Sequence, residues 1–195
     1  MRKIFIDCGS NLGQGYDQIS KKENMDDTWD IFMFEPNIKC YESLKTKFTE
    51  KNIKIFNSAV SNTYKKEKFL LEYCPTQKEW VGGASNILGK KYLKPSYIKN
   101  EYIKNSEYLV DCIDLSDFIM KNFTNEDYII LKLDIEGSEF EILPKMISDN
   151  TLNFIDKIYV EWHDHLILNF NDLSFNKDYF LEEFKKLNIE YNIWY

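Results

Sequence analysis

An α/β fold, built on a mostly parallel central sheet with helices on both faces, is the class this sequence predicts. Three observations carry it. Short runs with no polar face, such as KIFIDC (3–8) and YIILKLDI (128–135), read as strands buried on both sides. Longer amphipathic runs lie between them, as in IKCYESLKTKF (38–48), where Ile38, Tyr41, Leu44 and Phe48 recur at helical spacing. Strands that alternate with helices imply right-handed crossovers, and these force neighbouring strands to run parallel.

The elements follow in order. The strand at 3–8 meets a glycine-bearing turn and a helix to about Lys22. DIFMFEP (30–36) is a second strand, stopped by Pro36, before the helix of 38–48. IKIFNSAV (53–60) reads as a third strand. KKEKFLLEY (65–73) has no helix before it, which predicts an antiparallel excursion. Residues 74–107 hold Pro75, Gly82, Gly83, Gly89 and Pro95 among many tyrosines and lysines, too long for a passive connection, and read as a substrate loop or lid. YLVDCI (108–113) is a short strand with LSDFIMKN (115–122) as the helix behind it. YIILKLDI is followed by a crossover helix over 138–147, bent or ended by Pro144. A strand at 154–163, a helix at 176–187 and a last strand in IEYNIWY (189–195) complete the chain.

At 195 residues the chain fits one domain, 1–195, with a sizeable core. A net charge of −7 argues against a nucleic-acid partner, whose phosphates call for basic patches. Arg2 is the only arginine, so bidentate arginine clamps on phosphate are nearly excluded. The four cysteines, Cys8, Cys40, Cys74 and Cys112, show neither a CxxC pair nor zinc spacing and read as free thiols of a reducing cytosol. Asp7 interrupts the first apolar run at once, so MRKIFIDCG is not read as a signal peptide, and no run approaches the roughly 18 residues of a membrane span. A cytoplasmic protein without membrane partners is the expectation.

The stretch FIDCGSNLGQG sets a D-x-G-x-x-x-G turn, Asp7 to Gly13, between a strand and a helix N-terminus. Glycines there allow positive φ and close ligand approach. Three readings stand: a phosphate site, a carboxylate site, or a plain tight turn. The pattern is neither G-x-G-x-x-G nor G-K-[ST], which weakens the phosphate reading. The second strand ends on Glu35, either a solvated acid or an acceptor for the two hydroxyls of a ribose, and its pairing with the glycine turn favours the ribose. Two acids at adjacent strand ends disfavour a pyrophosphate and favour a cationic cofactor. S-adenosylmethionine, with its adenosine, sulfonium and ammonium, fits that charge pattern better than a nicotinamide dinucleotide.

Six segments, DCGSNLGQG (7–15), FEPNIKCYESL (34–44), NSAVSN (57–62), GGASN (82–86), LKLDIEGSEFEIL (131–143) and VEWHDH (160–165), together resemble the FkbM family of S-adenosylmethionine-dependent methyltransferases. The resemblance runs in order from about Ile4 to His165. It implies a three-layer, Rossmann-like class I methyltransferase fold, and methyl transfer, commonly to oxygen, on sugars, glycans or small metabolites. By the resemblance, Asp7, Gly9, Ser10, Asn11 and Gly13 form the cofactor turn. Glu35 and Pro36 take the ribose side, Ser58 and Ala59 the adenine side, and Asp134 the methionine end beside the substrate. The chain departs from the pattern in ending on one strand where many class I enzymes have a hairpin.

A sugar hydroxyl has a high pKa, so a base or metal is expected to assist. Asp134 and Glu136 end one strand; Glu161, His163 and His165 alternate along the next and share a face if that strand continues. His163 is the first choice of general base, its ordinary pKa lying near working pH. The competing reading is a histidine bonded to a neighbouring carboxylate at the sheet rim. Asp134, Glu161 and His163 also make a set that suits a divalent ion such as Mg²⁺. Glu136 reads as a cap for the helix entering at Ser138. Ser85 is placed in the acceptor pocket or in a plain turn. Trp80, Tyr92, Tyr97 and Tyr102 either stack on a sugar or pack their loop onto its own domain.

Overall fold

The computed structural model describes residues 1–71, 85, 87, 107–165, 167 and 176–194. Six strands form one sheet in the order β3-β2-β1-β7-β8-β9, and every neighbouring pair runs parallel. They are β1 (Lys3–Cys8), β2 (Trp29–Phe34), β3 (Ile53–Phe56), β7 (Tyr128–Leu133), β8 (Lys157–Val160) and β9 (Glu190–Ile193). Residues alternate across it by parity. Ile4, Ile6, Phe32, Phe34, Ile129, Leu131, Leu133, Ile158 and Val160 face one core with the helices α3 (Leu115–Asn122), α4 (Glu139–Ser148) and α5 (Lys177–Lys186). Phe5, Ile31, Met33, Ile130 and Tyr159 face the other, against α1 (Gln14–Lys22) and α2 (Ile38–Lys47). The result is the expected three-layer Rossmann-like fold.

The chain order reverses between β1 and β7. From β1 it winds outward through β2 and β3; it then re-enters at β7 and winds the other way to β9. Such a switch point opens a crevice beyond the carboxyl ends of the strands. Register fixes what meets there. Cys8 pairs with Phe34 and with Leu133, and Leu133 pairs with Val160. Gly9, Glu35, Asp134 and Glu161 therefore all stand one residue past the last rung.

The structure redraws some boundaries. The strand expected over 53–60 breaks at Asn57–Ser58 into β3 and β4 (Ala59–Ser61). β4 leaves the main sheet for a small second one, of order β4-β6-β5, with β5 at Lys65–Leu70 and β6 at Glu107–Asp114. β5 and β6 pair antiparallel, as the sequence led us to expect. Ala59, Phe69, Ile87, Val110 and Cys112 form its own apolar cluster. The strand expected over 154–163 is only Lys157–Val160; a 3-10 turn, Thr151–Phe154, replaces its beginning. α4 runs through Pro144 to Ser148, so proline does not end it. The proposed loop of 74–107 lies outside the described residues save Ser85, Ile87 and Glu107, as do Trp80, Tyr92, Tyr97 and Tyr102. Among the described residues no helix is long and apolar enough to cross a membrane.

Candidate active site

The glycine turn closes β1 onto its neighbours. The backbone N–H groups of Gly9 and Ser10 both donate to Phe34 O, at 3.1 Å each. Gly9 has φ +78°, and a Cβ built there stands 1.9 Å from the carbonyl oxygen of Asp134. Only glycine lets the ends of β1 and β7 approach this closely. Gly13, at φ +85°, meets the Phe48 ring and Leu44, so it seats the turn on α2. The Ser10 hydroxyl turns inward and donates to Asp7 O at 3.0 Å.

Glu35 binds the turn from the next strand. Its two carboxylate oxygens accept the backbone N–H of Asn11 and of Asn37, at 2.7 Å each. The side chain is buried, and burial pushes it up to about 7 against the pull of those two donors, with the charge of Asp7 adding to the push. Gly9, Asn11, Glu35, Pro36, Ala59 and Asp134 line one crevice of roughly 560 Å³ counting its open mouth. Val60, Phe69 and Ile87 give it an apolar wall, and Ser85, Ile135, Glu136 and Ser138 complete the far side. Among the described residues, the hydroxyl of Ser138 is buried without a hydrogen-bond partner, as is that of Ser58.

Asp7 is not on that surface. It points to the α1 face with 0% exposure, 3.0 Å from the Nζ of Lys132. Lys132, 2% exposed on β7, also reaches Asp134 Oδ2 at 3.2 Å and donates to Gly9 O at 3.0 Å. Its stem packs on Gly15, where a Cβ would come within 2.6 Å. Burial works against its charge, but Asp134 and Asp7 outweigh that and hold it above the ordinary lysine value. The first acid of the motif is thus neutralised beneath the turn, and Asp134 carries the negative charge to the crevice. Trp194, just past β9, donates from Nε1 to Asp134 Oδ2 at 3.1 Å.

Beyond β8 the chain leaves the strand at Glu161, so the supposed alternation of Glu161, His163 and His165 does not hold. His165 is exposed. Glu161 and His163 still meet, because the chain folds back onto the turn after β7. His163 is buried, and its Nδ1 lies 3.0 Å from Glu139 Oε1. Glu139, 0% exposed, also accepts the N–H of Ile135 and of Gly137, at 2.9 Å each. It ties down the turn that leads into α4, whose N-cap, Ser138, makes no side-chain capping bond; the capping role read for Glu136 in the sequence is not seen. Burial opposes a charge on His163, but the hydrogen bond and charge of Glu139, with Glu136 and Asp134 behind it, raise the imidazole to about 10. His163 thus has the carboxylate bond of the competing reading, and its imidazole is held above the value that made it the first choice of base. Glu136, at φ +54°, is pushed up to about 8 by burial, with the His163 charge opposing and Asp134, Glu139 and Glu161 adding to it. Burial and the Asp134 charge also raise Glu161.

Lys132, Glu139, Ser138 and Trp194 were not singled out from sequence. Lys132 had a signal, a charge inside a run buried on both faces, which has to be paired. The others had none beyond their residue type.

A family model described as Methyltransferase FkbM domain matches residues 7–190. No curated protein sequence matches the chain. Among solved structures, the crystal structure of Methyltransferase FkbM from Methylobacillus flagellatus KT is similar at a TM-score of 0.42 and 16% identity, covering 74% of this chain and 29% of that one. The chain thus spans less than a third of that relative's length.

Proposed function

The chain belongs to the FkbM methyltransferase family, and from that premise we propose that it transfers a methyl group from S-adenosylmethionine to a hydroxyl oxygen of a sugar or glycan. The observation that carries the cofactor reading is Glu35: a buried carboxylate at the crevice, one strand from the glycine turn, where ribose hydroxyls would find an acceptor. The fit extends in both directions. Ala59, Val60 and Phe69 supply an apolar wall for a purine. Asp134 presents negative charge to the cationic end, and the unpartnered Ser138 hydroxyl faces the same crevice. When bound, S-adenosylmethionine supplies a methyl group already activated by its sulfonium.

The residues of this chain then hold the acceptor and receive its proton. Alignment of the acceptor in such a site is worth up to about 7–11 kcal/mol of barrier. Glu136 and Glu161 lie beside Asp134, 3.5 and 3.7 Å from His163 Nε2, and their carboxylates would give the hydroxyl proton a place to go. The buried, reduced thiols of Cys8, Cys40 and Cys112 support a reducing, cytoplasmic setting.

Calorimetry should show S-adenosylhomocysteine binding and no NAD binding; the reverse result would defeat the cofactor reading. S-adenosylhomocysteine release should then appear with members of a mono- and oligosaccharide panel. Release only with amines or non-sugar metabolites would keep the methyltransferase and discard the sugar. Cofactor binding with no turnover on any acceptor would favour a non-catalytic binding domain.

A further inference from the structure

Asp134, Glu136 and Glu161 surround one edge of the His163 ring. The Nε2 of His163 stands 3.5 Å from Glu136 Oε2, 3.7 Å from Glu161 Oε1 and 4.0 Å from Asp134 Oδ1. None of these is a formed hydrogen bond, which spans about 2.7–3.2 Å for a nitrogen donor. A side chain only 4% exposed therefore turns this ring nitrogen to three carboxylates at ion-pair rather than hydrogen-bond distance. Ligand-type atoms of Asp134, Glu136 and His163 all lie within 4.8 Å of one another. Atoms held about 2.1 Å from one ion stand about 3.0–3.4 Å apart, so a small inward closure would complete a coordination shell.

The ring is fixed from behind. Glu139 bonds Nδ1 and, with the same carboxylate, the N–H groups of Ile135 and Gly137. One buried acid thereby orients the imidazole and the turn that carries Asp134 and Glu136. A carboxylate behind an imidazole, directing the opposite nitrogen outward, is the usual support of a metal-ligating histidine. The two oxygens of Asp134 divide the work. Oδ2 is held by Lys132 and Trp194, whereas Oδ1 faces His163. Lys132 is committed to Asp7 and Asp134, so its charge lies on the α1 side; among the described residues His163 is the cation paired with Glu136 and Glu161.

We propose that Asp134, Glu136 and His163 form a divalent-cation site at the acceptor side of the crevice. Its donor set, carboxylate oxygens with one imidazole nitrogen, suits a first-row ion such as Mn²⁺ better than Mg²⁺, which prefers oxygen ligands alone. The role of the ion rests on the methyltransferase reading. On binding, the ion would displace the Nε2 proton of His163 to solvent; it would then lower the pKa of an acceptor hydroxyl, with the nearby Glu161 carboxylate to take that proton.

The test is a Mn²⁺ titration of the chelator-treated full chain without cofactor, followed by the loss of the free-ion electron paramagnetic resonance signal. One Mn²⁺ should bind per chain. Glu136→Gln, close in shape to the wild type, should weaken it at least tenfold, and His163→Gln should abolish it. Each variant is checked by its urea midpoint, and Glu136→Gln keeps the test decisive if His163→Gln fails to fold. Wild type that leaves the Mn²⁺ signal free, or Glu136→Gln that binds as wild type does, overturns the proposal. S-adenosylhomocysteine binding without Mn²⁺ binding defeats the metal site alone. Mn²⁺ binding without S-adenosylhomocysteine binding upholds the site and defeats the methyltransferase reading.

Discussion

Lys132→Met should destabilise the protein far more than the loss of one lysine elsewhere. Methionine keeps the unbranched stem that packs on Gly15 and removes the ammonium group. Lys132 is 2% exposed and Asp7 0%, at 3.0 Å, so the substitution strands a carboxylate that has no route to water. Removing one partner of a buried pair costs about 3–5 kcal/mol, a large share of a total stability of about 5–15 kcal/mol. Lys132 Nζ also donates to Gly9 O at 3.0 Å, so the turn loosens as well. With a urea slope of about 2–3 kcal/mol per molar, the midpoint should fall by about 1–2.5 M. Urea denaturation followed by tryptophan fluorescence reads this directly. The double variant Asp7→Asn/Lys132→Met removes both charges and should recover at least about 1 kcal/mol relative to the sum of the single changes. Additive single and double variants, or a midpoint for Lys132→Met within about 0.3 M of wild type, would refute the idea that this ion pair holds the strand ends together.

Gly9→Ala should cost about 2–5 kcal/mol, from the left-handed backbone and from the 1.9 Å approach of a Cβ to Asp134 O; it should lower both the urea midpoint and S-adenosylhomocysteine affinity, and an unchanged midpoint would contradict the close approach. Glu35 is raised to about 7, so it is ionised above that pH and protonated below it, and a protonated carboxyl accepts ribose hydroxyls poorly. S-adenosylhomocysteine Kd should therefore rise by up to about tenfold from pH 8 to pH 6, while Glu35→Ala should bind weakly with a flat profile; calorimetry in matched buffers checks this, and a flat wild-type profile would remove Glu35 from the ribose.

Much of the fold was legible because its signals are local. Apolar runs of strand length, helical spacing in 38–48, and glycine or proline at strand ends gave the alternating order. That order with the right-handed crossover rule gave a parallel sheet. The same signals placed Gly9, Glu35 and Asp134 at strand ends, and the register brings all three to one crevice. The break between β3 and β4 was not legible: residues 53–60 carry no glycine or proline, and only pairing with β6 draws Ala59–Ser61 into a second sheet. The charge pairing was equally hidden. Lys132 meets Asp7 across 125 positions, His163 meets Glu139 across 24, and Trp194 meets Asp134 across 60. Whether an acid at a strand end faces solvent, a buried lysine or an imidazole depends on strand order and register. The sequence by itself determined which residues reach the carboxyl edge of the sheet; the tertiary structure decided that Asp7 is neutralised beneath it, that Asp134 remains to face the crevice, and that Glu139 turns His163 toward Glu136, because a buried charge is settled by its neighbours in space.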